Sequence, residues 1–141
     1  MDYYENTLCN HILASSSHEA DGGTTYFMPL CPGGVKEYST TENTCCHGTG
    51  MESRFRYMEH IYAYDDSNVY VNLLIDSRLS GEEELDISTD MEKGRAVIRN
   101  GKDMKRNLKI HVPFWAQEVK VLKNGTVLEQ KPEDGYLKYR D

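Results

Sequence analysis

The sequence predicts an α+β fold, with a helical N-terminal segment followed by an antiparallel β-sandwich. Three observations carry this reading. Apolar residues recur at helical spacing in two stretches before residue 62. Beyond Asp65-Asp66-Ser67 the period drops to two, and turn signals then separate a series of short extended runs.

In the helical part, Tyr4, Leu8 and Ile12 fall four apart between Asp2 and Leu13, which is the spacing of one helix face. Glu5 and Cys9 share a neighbouring face. Ser15-Ser16-Ser17, followed by Asp21-Gly22-Gly23, ends that helix. Thr24 to Leu30 reads as a short extended piece closed by Pro29, and Pro32-Gly33-Gly34 as a loop. Val35 to Thr44 is polar and irregular. Met51, Phe55, Met58 and Tyr62 then mark the apolar face of a second helix, with Glu52, Arg54, Arg56 and Glu59 mostly on its wet side.

In the second part, Val69, Val71, Leu73 and Ile75 alternate with Tyr70, Asn72, Leu74 and Asp76, a strand substantially buried on both faces. Leu85-Asp86-Ile87, Ala96 to Arg99, Leu108 to Val112, Val119 to Leu122, Val127 to Glu129 and Tyr136 to Tyr139 read as further short strands. Asn124-Gly125 is a strong two-residue hairpin signal, and Asn100-Gly101 a weaker one. Asn124-Gly125-Thr126 is also formally a glycosylation sequon, but the turn explains it better. Trp115, after Pro113, is expected to plug the sandwich. The last strand runs into Asp141 with no closing turn, so the chain reads as cut at both ends.

Composition narrows the function classes. A chain of 141 residues is one ordinary domain or parts of two. Its net charge of −7, without a basic stripe or Arg-rich arm, argues against a nucleic-acid partner. Glu82-Glu83-Glu84 reads as a solvated turn or strand edge. No apolar run approaches the roughly 20 residues of a membrane helix, so no membrane partner is expected, and the start lacks a signal-peptide pattern. Cys9, Cys31, Cys45 and Cys46 are too unevenly spaced for a secreted disulfide scaffold.

The adjacent pair Cys45-Cys46 carries the chemistry. A disulfide wants its Cα atoms roughly 4.4–6.8 Å apart, whereas a trans peptide holds neighbours about 3.8 Å apart. Two adjacent thiols therefore suggest metal coordination, thiolate chemistry or separate disulfide partners. Gly48-Thr49-Gly50 leads into the second helical pattern, which sets the pair just before a helix N-terminus, where dipole and free N–H groups favour a thiolate. The plain alternative is two small buried hydrophobes. His47 beside them is a poor third ligand, because three consecutive residues rarely converge on one ion. Cys9 and Cys31 could complete a four-cysteine site, but free buried thiols are the simpler expectation.

Several segments together carry a family resemblance. These are Tyr4-Glu5-Asn6-Thr7-Leu8-Cys9-Asn10, Tyr26-Phe27-Met28-Pro29-Leu30, Cys45-Cys46-His47-Gly48-Thr49-Gly50-Met51-Glu52, Val69-Tyr70-Val71-Asn72-Leu73 and His111-Val112-Pro113-Phe114-Trp115-Ala116. In this order they resemble the β-L-arabinofuranosidase group, glycoside hydrolase families 127 and 146, first catalogued as a bacterial domain of unknown function. The Gly-Thr-Gly-Met-Glu tail is closer to the family 146 pattern than to family 127, where a proline usually follows the two cysteines.

The resemblance implies residues 1–62 as the C-terminal end of an α/α toroid and residues 63–141 as a truncated β-sandwich domain. It implies a retaining hydrolase of arabinose-containing glycans, in which zinc is held by three cysteines and one glutamate and one cysteine is the nucleophile. Carried over, Cys45 is nucleophile and zinc ligand, Cys46 is a second ligand, and Glu5 and Tyr26 contact sugar hydroxyls. The remaining glutamate–cysteine ligand pair and the acid/base glutamate lie upstream in the family. Glu42, with no cysteine two residues on, does not take the ligand role.

Met51, Phe55 and Met58 would then face helices outside this chain and are expected to be exposed or repacked on the sandwich. Two other classes stay open at this point: a sugar-binding or structural sandwich module with inert cysteines, and a small zinc protein using all four cysteines.

Overall fold

A computed structural model describes residues 1–41 and 44–140. Glu42 and Asp141 lie outside the described residues. The chain divides into two compact units, Asp2–Glu59 and His60–Asp141, with Met1 grouped with the second.

The first unit opens with α1 (Asp2–Thr7), whose first turn carries Asp2 and Glu5, the charge that suits the positive end of a helix. The coil continues as a π turn over Leu8–Ile12 and a 3-10 turn over Leu13–Ser15. It stops where the serine run predicts, with Ser16 extended and Ser15 Oγ donating to the Ile12 carbonyl at 2.7 Å. Thr24 to Leu30 forms no strand. Thr24 alone makes bridges, to Ser16 and to Ser39, because Pro29 leaves too short a run to build a ladder.

Helix α2 spans Cys45–Glu59. Cys45 and Cys46 therefore belong to its first turn and do not precede it. The Gly48 N–H donates to the Thr44 carbonyl at 3.2 Å, so the turn closes through the glycines, which weaken a helix without breaking it. The face of α2 also differs from the apolar spacing. Met51, Phe55 and Met58 are exposed. The more covered row is His47, Gly50, Arg54 and Tyr57. Arg54, read as wet, instead bonds Ser16 Oγ. Tyr57 is buried, its ring 4.2 Å from that of Tyr4, whose hydroxyl donates to the Arg56 carbonyl at 3.2 Å.

Among its described residues the second unit holds nine strands: β1 (Tyr62–Tyr64), β2 (Asn68–Val71), β3 (Ser77–Leu79), β4 (Leu85–Asp90), β5 (Arg95–Asn100), β6 (Asn107–His111), β7 (Val121–Lys123), β8 (Thr126–Leu128) and β9 (Tyr136–Tyr139). One sheet has the order β1-β2-β6-β9, a second β3-β4-β5, and β7-β8 is a separate hairpin. Val69 and Val71 of the first sheet and Leu85 and Ile87 of the second form one buried cluster, with Leu79, Ile98, Leu108 and Ile110 packed against it. This is the sandwich core.

Its sheets are not wholly antiparallel, because β2 and β6 pair in parallel, Asn68 opposite Asn107 and Val71 opposite Ile110. Tyr62 opens β1 and so belongs to a strand, where the helical spacing had placed it on α2. β2 ends at Val71, although Leu73 beyond it is also buried.

The turns divide in the same way. Asn124 and Gly125 both have positive φ, 51° and 84°, and join β7 to β8 as a two-residue hairpin. Asn100-Gly101 makes no hairpin: β5 pairs with β4 alone, and the Gly101 N–H closes that ladder on the Glu84 carbonyl at 3.0 Å. Trp115 does not plug the sandwich. β6 ends at His111, and Trp115 sits exposed in the turn closed by the Ala116 N–H on the Pro113 carbonyl. Between β1 and β2, Asp65 accepts from the Ser67 and Asn68 N–H groups at 2.8 and 2.7 Å. The Asn68 side chain, the Ser67 N–H and the Tyr70 hydroxyl hold its carboxyl well below the usual carboxylate range.

Removing the side chain at the meeting of the two sheets is expected to be costly. Leu85→Ala should lose about 2–5 kcal/mol, while Leu122→Ala, on an exposed position of the β7–β8 hairpin, should stay within about 0.5 kcal/mol. Urea midpoints measure both, and equal losses would contradict the shared two-sheet core.

Candidate functional site

The site begins at the first turn of α2. Thr44 immediately precedes the helix, and its N–H and hydroxyl both reach His47 Nδ1, at 3.4 and 3.1 Å. Position and role match a capping box, with an imidazole where a Glu or Gln side chain usually reaches back. This use of Nδ1 turns that nitrogen toward Thr44. The other ring nitrogen, Nε2, is buried with no hydrogen-bond partner among the described residues.

Held on this turn, the Cys45 and Cys46 sulfurs lie 4.0 Å apart, and both residues are exposed. The alternative of two small buried hydrophobes does not hold. Thr49 Oγ1 donates to the Cys45 carbonyl at 3.1 Å and Ser53 Oγ to the Thr49 carbonyl at 2.9 Å, so neither hydroxyl proton is spent on the thiols.

Tyr26 comes to the thiols from the preceding loop. Its phenol is pushed above its ordinary value, first by the neighbouring Cys46 thiol and then by the charge of Cys45. Its ring lies 5.8 Å from His47 and 4.4 Å from Phe27, edge-on to both. Cys46 and His47 also line a cleft of about 330 Å³ shared with His11, Ser15, Thr24 and Arg54.

The other predicted residues fall elsewhere. Glu5 is half-buried on α1 and does not line this cleft. It shares a face with Cys9, whose thiol is pushed up by burial first and by the Glu5 charge second. Cys9 and Cys31 are exposed, which corrects the expectation of buried thiols. The loop around Cys31 is too thinly covered to bury it. Among the described residues, no group of three or more close ligand atoms includes a cysteine.

Two family descriptions match the chain. "Beta-L-arabinofuranosidase, GH127 catalytic domain" matches residues 1–59, and "Beta-L-arabinofuranosidase, GH127 middle domain" matches residues 68–140. The chain belongs to the β-L-arabinofuranosidase family. A search of curated proteins gave no match. Glu5, Tyr26, Cys45 and Cys46 all fall in the stretch of this glycoside hydrolase family chain that matches the catalytic domain.

Sequence reasoning missed three contributors. His47 as a cap was legible from its place three residues after Thr44. Tyr38 and Phe27, which join Tyr26 in a neighbouring groove, carried only the weak signal of aromatics on either side of a Pro-Gly-Gly loop.

Replacing the His47 ring should open the turn that holds the thiols. His47→Ala is expected to weaken α2 by about 1 kcal/mol, as other lost caps do, and to speed amide exchange at Gly48. Exchange at the wild-type rate would show that the Thr44–His47 contact does not hold the turn.

Proposed function

We propose that Cys45 is the nucleophile of a retaining glycoside hydrolase acting on β-L-arabinofuranosides, with Cys45 and Cys46 as zinc ligands. Glu5 and Tyr26 contact the sugar hydroxyls in this reading. The observation that carries it is the exposed thiol pair at 4.0 Å on the first turn of α2, with the Tyr26 ring 5.8 Å from that of His47 on the same turn. The catalytic-domain match over residues 1–59 supports the same assignment.

The donor set fits a metal. Two sulfurs at about 2.3 Å from a tetrahedral zinc would lie about 3.8 Å apart, close to the 4.0 Å found between these thiols. When bound, zinc keeps coordinated thiols deprotonated and lowers the basicity of the sulfur.

Retention requires two displacements at the anomeric carbon. In the first, Cys45 Sγ forms a bond to that carbon as the bond to the leaving oxygen breaks, and an acid protonates the departing oxygen. In the second, water gives a proton to the base left by that acid and attacks the same carbon, the C–S bond breaks, and the electron pair returns to Cys45 Sγ. Tyr26, whose ring lies 5.8 Å from that of His47 on the turn that carries the reacting sulfur, would orient a sugar hydroxyl. No glutamate in the sequence stands two residues before a cysteine, so the acid/base and the remaining zinc ligands are assigned to residues beyond this chain. The exposed Met51, Phe55 and Met58 support the same reading, as side chains of α2 suited to packing in a larger helical toroid.

A substitution at the nucleophile tests this. In the intact enzyme, Cys45→Ser should abolish turnover of an aryl β-L-arabinofuranoside while circular dichroism stays unchanged. Turnover at the wild-type rate would remove Cys45 from the nucleophile role.

A further inference from the structure

The β3-β4-β5 sheet turns one face to the core and the other to solvent. Leu85 and Ile87 of β4 are buried, so Asp86, Ser88 and Asp90, which alternate with them, point outward. The register extends this outer face to both neighbouring strands. Asp86 stands between Arg78 of β3 and Arg99 of β5, Ser88 lies opposite Val97, and Asp90 lies opposite Arg95. On the strands three arginines thus share two aspartates, and the β4–β5 turn adds Lys93 and Glu92.

The pairing of these charges is uneven. Arg78 takes Asp86, its Nε and Nη2 donating to Oδ2 at 3.2 and 2.9 Å. Asp90 accepts instead from the N–H and the Nζ of Lys93, at 3.1 and 2.7 Å. Arg99 is left with a neutral acceptor, the Ser88 hydroxyl, at 3.3 Å. Among the described residues neither Arg95 nor Arg99 forms an ion pair. Both are exposed, on an edge strand that pairs with β4 alone. A charged edge wards off a further strand, but that role does not call for the carboxylates in register to be held by other cations.

Arg95 and Arg99 are four residues apart on one strand face, so their Cα atoms stand roughly 13 Å apart. Each guanidinium presents a planar fork that fits a carboxylate through two parallel N–H bonds. Half-buried Val97 lies between them, and the Ser88 hydroxyl, which accepts from Arg99, keeps its own proton to donate. This suits an extended polymer with spaced carboxylates, whose rings offer C–H faces and hydroxyls in between. A nucleic acid or an anionic membrane would bring dense charge against a chain of net charge −7, for only two unpaired guanidiniums. The glycoside hydrolase family of the chain supplies the class of polymer.

We propose that the outer face of β3-β4-β5 binds a polysaccharide that carries carboxylates, with Arg95 and Arg99 each holding one uronate group. The proposal draws on the family for the glycan class and on no residue of the thiol site. Binding decides it, not turnover, so it can fail while the Cys45 assignment stands.

Calorimetric titration of this chain with polygalacturonate, and with the same polymer fully methyl-esterified, is the test. The acid should bind at low ionic strength, the ester should not, and high salt should abolish the binding. Arg95→Gln with Arg99→Gln should weaken the affinity at least about fivefold, as loss of two exposed charge contacts implies. Lys120→Gln with Lys131→Gln, which removes the same charge at exposed positions off this face, should leave the affinity within about twofold. Circular dichroism should be unchanged in both. No binding of polygalacturonate, or equal losses in the two double variants, overturns the proposal. Poly-L-glutamate that binds as tightly as polygalacturonate overturns it in favour of an acidic peptide.

Discussion

The closure of the first turn of α2 on Thr44 is the constraint on which the site depends. Successive side chains on a strand point to opposite faces, so Cys45 and Cys46 in an extended segment would present their sulfurs apart. On the helical turn the two sulfurs stand 4.0 Å from each other and open to solvent. The turn is not cheap to form. Gly48 and Gly50 lie in its path, and each weakens a helix by about 1 kcal/mol relative to alanine. The Thr44 N–H and hydroxyl bonds to His47 Nδ1 offset part of that cost, and they spend a nitrogen that would otherwise compete for a ligand role.

The two units are stabilised in different ways, and the difference bears on the chemistry. The second unit buries Val69, Val71, Leu73, Leu85, Ile87 and Leu137 between and around its sheets. The first buries Leu8 and Tyr57 alone among its described hydrophobic residues. It relies instead on specific polar pins: Arg54 on Ser16, Lys36 on the Ala14 carbonyl, and the Thr24–Ser39 bridge. Those pins hold the loop that brings Tyr26 to Cys46. Reactive groups therefore sit on the unit with little core of its own, where exposed apolar side chains on α2 leave room for further packing.

Much of the fold was legible because the signals were local. The Asn124-Gly125 hairpin follows from positive φ at two adjacent positions, and the serine run ended the first helical segment where its side chains compete for backbone groups. The parallel pairing of β2 with β6 was not legible, since a period of two fixes which face a residue occupies but not the direction of its neighbour. The covered row of α2 was not legible for a related reason. Met51, Phe55 and Met58 have core-like spacing, yet the more covered row runs through His47, Gly50, Arg54 and Tyr57, and Arg54 is held there by its bond to Ser16. Cys45 and Cys46 stood out because adjacent thiols are chemically unusual. Glu5 and Tyr26 needed the family resemblance, and of these two only Tyr26 is brought to the thiols.

The most direct measurement is the position of the covalent adduct. The intact enzyme would be treated with a β-L-arabinofuranosyl analogue that glycosylates rapidly and hydrolyses slowly, then digested and sequenced by mass spectrometry. One pentosyl unit on the sulfur of Cys45 is the predicted result. A pentosyl unit on Cys46 or on a carboxylate, with Cys45 unmodified, would contradict the assignment of Cys45 as the nucleophile.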